Sequence, residues 1–227
     1  MRAQRKRMQL NTVIFDMDGL LIDSEPLWKE AAQEVFPKYN IHLTDKQYIS
    51  TTGLRTHEFV HWWFIQFGIK EDKVPDAEKE ILEAVLHKVK HKGKIMSGVE
   101  HIFNFFHSLK YKIGIASSSP DNLIQTVVDM CHLRPYLQAT TSAENLPYGK
   151  PHPQVYLNCA EALGSSPMAC VCFEDSFNGM IAAKAARMKC VVVPEYQHYK
   201  QEKWGAADLK LSSLKNFNML HLESLRQ

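Results

Sequence analysis

The stretch VIFDMDGLLID, Val13–Asp23, decides the fold. An apolar run of strand type stops on two carboxylates, Asp16 and Asp18, placed two residues apart. Side chains at i and i+2 of an extended segment point the same way. These two acids would therefore repel unless a cation sits between them or one of them holds a proton. The end of this strand is accordingly the first place to look for a site.

Working outward, strand-like runs recur at TVIF, KIGIA, ACVCF and CVVVP, with amphipathic segments between them. That alternation predicts an α/β fold, a Rossmann-like doubly wound parallel sheet with helices on both faces. About seventy residues separate Ser24 from Gly98, far more than the dozen or so of an ordinary crossover, so the excess is an insertion. Residues 1–24 and 94–227 are expected to form the core, and 25–93 a helical bundle domain lying over it as a cap. Within that cap, SEPLWKEAAQEVF offers Ser24 as N-cap and Pro26 in the first turn. PDAEKEILEAVLHKVKHKG runs from a capping Asp76 to a stopping Gly93. THEFVHWWFIQFG spaces Phe59, Trp62, Trp63 and Phe67 along one apolar face, expected to be bundle core rather than a ligand cage.

Composition narrows the function classes. A formal charge of only +2 over 227 residues gives no reason to expect nucleic acid as a partner. Arg2, Arg5, Lys6 and Arg7 crowd the start, and a solvated terminus is the preferred reading over a polyanion-binding arm. No run has the length of a membrane span or a signal peptide, so neither a membrane nor a secreted setting is expected. Five cysteines, an odd number without metal-type spacing, read as small buried side chains of a reducing cytoplasm, and a monomer is expected.

In an open parallel sheet the ligand site lies beyond the carboxyl ends of the strands. There the sequence places Asp16, Met17 and Asp18, then Ser117, Ser118 and Ser119, then Glu174 and Asp175. The connection TTSAENLPYGKPHP adds Lys150. Singly, each has a structural explanation as turn former, helix cap or solvated charge: Ser119 could cap a helix opened by Pro120, and Asp175 the next one. Together at four ends of one sheet they point to chemistry. An all-oxygen set favours Mg²⁺ over zinc. A cation-neutralised Asp16 could attack a phosphoryl group, with Lys150 and Ser117 holding its oxygens and Asp18 serving as acid and base.

FDMDG, IASSSPDN, GKPHP and FEDSFNG resemble the four motifs of the haloacid dehalogenase superfamily, in its branch with a helical cap between the first two. The resemblance implies transient phosphorylation of Asp16, acid/base work by Asp18, and Mg²⁺ held by Asp16, the Asp18 carbonyl and Asp175. It also implies phosphoryl binding by Ser117, Ser118 and Lys150, and support for the metal from Glu174. Longer stretches, IFDMDGLLIDSEPLW and EDSFNGMIAAKAARM among them, are similar to bacterial phosphatases of hexitol and 2-deoxyhexose phosphates. A small phosphorylated sugar or sugar alcohol is thus the expected substrate. In the cap, STTGLRTHE should face the site, which nominates Arg55 as a substrate contact, beside the bland reading of a surface arginine.

Rivals come from other chemistries. β-Phosphoglucomutases keep the second carboxylate but add a cap histidine and a lysine, where this chain has Trp28 and Thr52, so hydrolysis is preferred over transfer between sugar hydroxyls. HEFVH, His57 to His61, matches the zinc-protease pattern, with Glu78, Glu80 or Glu83 available as a third ligand, but on a helix without its own cleft. A receiver-like module that only stores phosphate on Asp16 would need neither the cap nor Asp18.

Overall fold

The computed structural model describes residues 9–51 and 53–227. The basic cluster Arg2–Arg7 and the cap position Thr52 lie outside the described residues. In chain order the elements are β1 (Thr12–Phe15), α1 (Glu25–Val35), α2 (Asp45–Ser50), α3 (Thr56–Phe67), α4 (Val74–Lys92) and α5 (Val99–Ser108). There follow β2 (Lys112–Ser117), α6 (Asp121–Met130), β3 (Ala139–Ser142), α7 (Gln154–Ala162), β4 (Cys170–Glu174), α8 (Phe177–Ala185), β5 (Lys189–Val192), β6 (Leu209–Lys210) and α9 (Met219–Leu225).

The sheet is wholly parallel in the order β3-β2-β1-β4-β5-β6. Strand order turns around between β1 and β4, which leaves a crevice at their carboxyl ends. The four sequence-predicted strands are all present. β3 and β6 were not foreseen: β3 reads ATTS and is only half-buried, and β6 is two residues long, so neither carries an apolar run.

Strand alternation builds two cores. Val13 and Phe15 face one side, where Phe15 stacks on Phe103 of α5 and on Phe173 of β4 at centroid distances of 4.7 and 5.1 Å. Ile14 faces the other, with Cys170, Cys172 and Cys190 against α7 and α8. All five cysteines are unpaired and buried, as packing residues are. Among the described residues no helix is long and apolar enough to cross a membrane.

The inserted helices α1 and α3 each pack on α4. Phe59, Trp63 and Phe64 are buried, but Trp62 and Phe67 are 50% and 40% exposed, so the apolar stripe is narrower than its spacing suggested. Phe64 replaces them, with Phe36 stacked on Phe59. Two cap assignments change. α4 starts earlier than expected, with Lys73 at its N-cap, because Pro75 fits the first turn and leaves Asp76 inside the helix. Ser24 does precede α1, but its hydroxyl caps nothing and turns to Asp18 instead.

The two chain crossings between sheet and insertion run side by side. Asp23 N–H donates to the Lys94 carbonyl and Met96 N–H to that of Leu21, with Ile22 and Ile95 paired antiparallel.

Candidate active site

The β1, β2 and β4 ends and the loop before α7 bring Asp16, Asp18, Ser117, Ser118, Lys150 and Asp175 to one cavity. The turn after Asp18 has to be glycine on two counts. Gly19 adopts φ +74°, and a Cβ there would lie 2.1 Å from Asp175 Oδ2.

Lys150 is the hub. Its buried Nζ donates to Asp16 Oδ1 at 2.5 Å, Glu174 Oε1 at 2.7 Å, the Ala116 carbonyl at 3.1 Å and the Tyr156 hydroxyl at 3.2 Å. Burial alone would favour loss of the ammonium proton, but Asp16 and Glu174 outweigh it and hold Lys150 above the ordinary lysine range. Burial pushes the Asp16 carboxyl up to about 8 against the pull of Lys150, with Glu174 and Asp18 adding to the rise. Asp175 is raised for the same reasons, burial first and then Asp16 and Glu174. The structural alternative of a solvated loop lysine is excluded by this burial.

Oxygens of Asp16, Glu174 and Asp175 lie within 4.8 Å of one another, a cluster able to hold a divalent cation. Its members are not equivalent. Glu174 Oε2 accepts from the N–H groups of Asp175 and Ser176 and the Ser176 hydroxyl, while Oε1 accepts from Lys150 and Tyr156, so its lone pairs are spent. No described group donates to the Asp175 carboxylate. The residues therefore fit a hard cation, with Asp16 and Asp175 free to bind it and Glu174 bracing the turn that carries Asp175. Ser176, not Asp175, caps α8, through its hydroxyl and Gly179 N–H.

Asp18 resolves the like-charge problem differently from the sequence expectation of a cation between the two acids. Its Oδ1 accepts from the Ser24 hydroxyl at 2.7 Å and the Trp28 indole N–H at 2.9 Å. Its Oδ2 accepts from the hydroxyls of Ser119 at 2.7 Å and Ser117 at 3.3 Å. Four donors satisfy the carboxylate, which stands apart from the cation cluster. Ser119 consequently does not cap the following helix, whose N-cap residue is Pro120. Ser118 keeps a buried hydroxyl without a partner, a free donor at the cavity wall.

The insertion supplies the far wall with Glu25, Trp28, Tyr48, Thr51, Thr56 and Phe59. None of these was singled out as a ligand from sequence; the only signal was that α1 begins seven residues beyond Asp18. Burial, then the charges of Asp18, Glu195 and Asp23, push the Glu25 carboxyl up to about 8. Two nominated residues are placed elsewhere. The Met17 side chain is fully buried in the core, leaving only its backbone for any role at the site. Arg55 is not part of the cavity wall; its guanidinium grips carbonyls of the core.

HEFVH does not assemble a metal site. His57 pairs with Glu78 and His61 with Glu71, two different acids, and the acidic cluster at Asp16 is the metal-capable group found among the described residues. The zinc-protease reading is thereby corrected.

A haloacid dehalogenase-like hydrolase profile matches residues 13–193. The chain belongs to that family. This haloacid dehalogenase-like hydrolase is 39% identical over 207 residues to "Hexitol phosphatase B" of Escherichia coli K12, covering 91% of this chain and 93% of the relative. It is 30% identical over 177 residues to the "Phosphorylated carbohydrates phosphatase" of Thermotoga maritima, covering 78% and 82%. Its fold matches a β-phosphoglucomutase from Clostridium difficile at TM-score 0.83 and 22% identity, over 96% and 97% of the two chains. The haloacid dehalogenase-like hydrolase is an enzyme of the phosphatase kind.

Proposed function

We propose that the protein is a Mg²⁺-dependent phosphatase of small sugar or sugar-alcohol monophosphates, working through a phosphoaspartate on Asp16. The observation that carries this reading is the pairing of two differently treated acids on one cavity. Asp16 is held by an ammonium and lies within the cation cluster; Asp18 is held by neutral donors outside it.

A Mg²⁺ ion held by Asp16 and Asp175 would supply positive charge that lets one anion approach another. Asp16 attacks phosphorus, while the free Ser118 hydroxyl takes one phosphoryl oxygen and Lys150, whose three N–H groups are shared among four core acceptors, turns one of them to another. Asp18 gives a proton to the leaving alkoxide and later takes one from the water that cleaves the acyl phosphate. Oδ2 is the oxygen suited to carry that proton. Its partners are two serine hydroxyls that can turn from donor to acceptor, whereas Oδ1 faces the donor-only indole of Trp28.

The same indole argues for water as the final acceptor. It occupies the place where the mutase pattern would put a histidine, and it cannot exchange a proton with a second sugar hydroxyl. The cavity also supports a neutral tail. Among the described residues lining it, Lys150 is the one cation, and Glu25, Tyr48, Thr51 and Thr56 offer groups that pair with hydroxyls. The relatives named above act on hexitol phosphates and phosphorylated carbohydrates, which agrees.

The test is phosphate release from hexitol, hexose and deoxyhexose monophosphates with Mg²⁺ or with EDTA, using Asp16→Asn as control. Metal-dependent turnover lost in the variant is expected. Near-wild-type turnover by Asp16→Asn would remove Asp16 as nucleophile.

A further inference from the structure

Arg55 stands at the N-cap position of α3 and is only 12% exposed, yet it contributes nothing to the cavity wall. Its Nη1 donates to the carbonyls of Ala143 at 3.1 Å and Leu146 at 2.5 Å, and Nη2 to that of Pro147 at 3.4 Å. No backbone N–H among the described residues reaches the Leu146 or Pro147 carbonyl, and the guanidinium is the protein donor that does. Nη2 also donates to Glu58 Oε1 at 2.7 Å, and that same oxygen accepts the Gly149 N–H at 3.2 Å. One turn of an inserted helix thus holds both ends of the core loop 143–149.

The fit on the core side is tight. A Cβ on Gly149 would lie 2.7 Å from Glu58 Oε2 and 2.8 Å from Arg55 Nε, so any larger residue there would displace the two side chains of the contact. Gly149 immediately precedes Lys150. On the insertion side, Gly53, Leu54 and Thr56 flank Arg55 and line the cavity. Lys150 has four partners of its own in the core and does not need the clasp to stay in place.

We infer that Arg55 and Glu58 are positioning residues that latch the helical insertion shut on the loop 143–149, and so set how firmly a bound sugar phosphate is enclosed. This rests on the phosphatase reading for its consequence but not for its geometry. The latch must open for substrate to enter and product to leave, so weakening it acts on binding more than on the chemical step. Burial alone would raise the Glu58 carboxyl, but hydrogen bonds from Arg55 and Gly149 and the Arg55 charge hold it below the usual range, so the latch stays ionic at neutral pH.

The experiment compares Arg55→Ala, Glu58→Ala, the double variant and Gly149→Ala by steady-state kinetics on a hexitol phosphate and on p-nitrophenyl phosphate. Hydrogen exchange of the peptide spanning 144–150 is followed alongside. The expected result is a KM for the hexitol ester raised at least tenfold in each variant, with kcat within threefold and the double variant no worse than either single one. Exchange should quicken in that peptide while the sheet peptides keep their protection. A loss in Arg55→Ala without one in Glu58→Ala would mean that Arg55 touches substrate directly, and would overturn the latch. So would an unchanged KM, or a loss of sheet protection that marks a general structural role. If the wild type cleaves none of these esters, the phosphatase reading has failed, and the exchange measurement still decides whether the latch exists.

Discussion

Replacing Lys150 by methionine probes the centre of the site. Methionine keeps much of the volume and removes the charge, which leaves Asp16 and Glu174 facing each other without the ammonium now within 2.5 and 2.7 Å of them. Removing one partner of a buried ion pair costs about 3–5 kcal/mol, because the remaining charge stays desolvated. For a chain of 227 residues each kcal/mol shifts Tm by about 2–4 °C, so a fall of roughly 10 °C is expected in EDTA. Adding millimolar Mg²⁺ should return part of that loss, since a dication at Asp16 and Asp175 offsets the same negative charge. Combining the change with Asp16→Asn should recover about half, by removing one of the two stranded carboxylates. Thermal unfolding by circular dichroism, with and without metal, reads all three effects. A Lys150→Met protein whose Tm in EDTA matched the wild type would refute the claim that the ammonium offsets the two acids.

Other substitutions test other parts of the design. Trp28→Phe removes one donor from Asp18 and should lower kcat about tenfold with little change in stability, measured by phosphate release. Glu25→Gln should gain stability over the wild type as pH rises from about 4.5 to about 8 and gain no more above that. The sign follows from a carboxyl raised in the fold, whose ionisation is opposed there but free in the unfolded chain. Urea titrations across that range check it. Asp208 works in the opposite sense. Burial opposes its charge, but Lys184 and the Cys190 N–H outweigh that and lower its carboxyl. Asp208→Asn should therefore cost about 1–3 kcal/mol at pH 7, with the difference shrinking as pH falls below about 4. Gly179→Ala would drive a Cβ to 1.8 Å from Glu174 Oε1, and should destabilise by about 3 kcal/mol or more on urea unfolding.

Asp16, Asp175, Ser117 and Lys150 were legible because each follows a strand or precedes a helix in a pattern that a parallel sheet gathers at one edge. The sheet was legible only where apolar runs mark it. β3 pairs with β2 through a polar ATTS segment, and local pattern carries no sign of that partner. Trp28 and Ser24 were invisible as partners of Asp18, because the helix α1 must first fold back over the β1 end before they meet it, and Ser119, just past the end of the neighbouring strand β2, read only as a helix cap. Arg55 was legible as a candidate substrate contact or a surface arginine, but not as the clasp it forms. A guanidinium suits phosphate oxygens and backbone carbonyls alike, and only the fold decides which is nearer.

The paired crossings at Leu21–Asp23 and Lys94–Met96 have an architectural consequence. The chain leaves the sheet and returns to it through a short zipped ribbon, so everything between behaves as a side branch whose length does not affect strand order. Grafting a smaller or larger branch onto that ribbon should change which esters are accepted while the strand order beneath stays the same. A shared platform can in this way diversify by exchanging what is hung upon it.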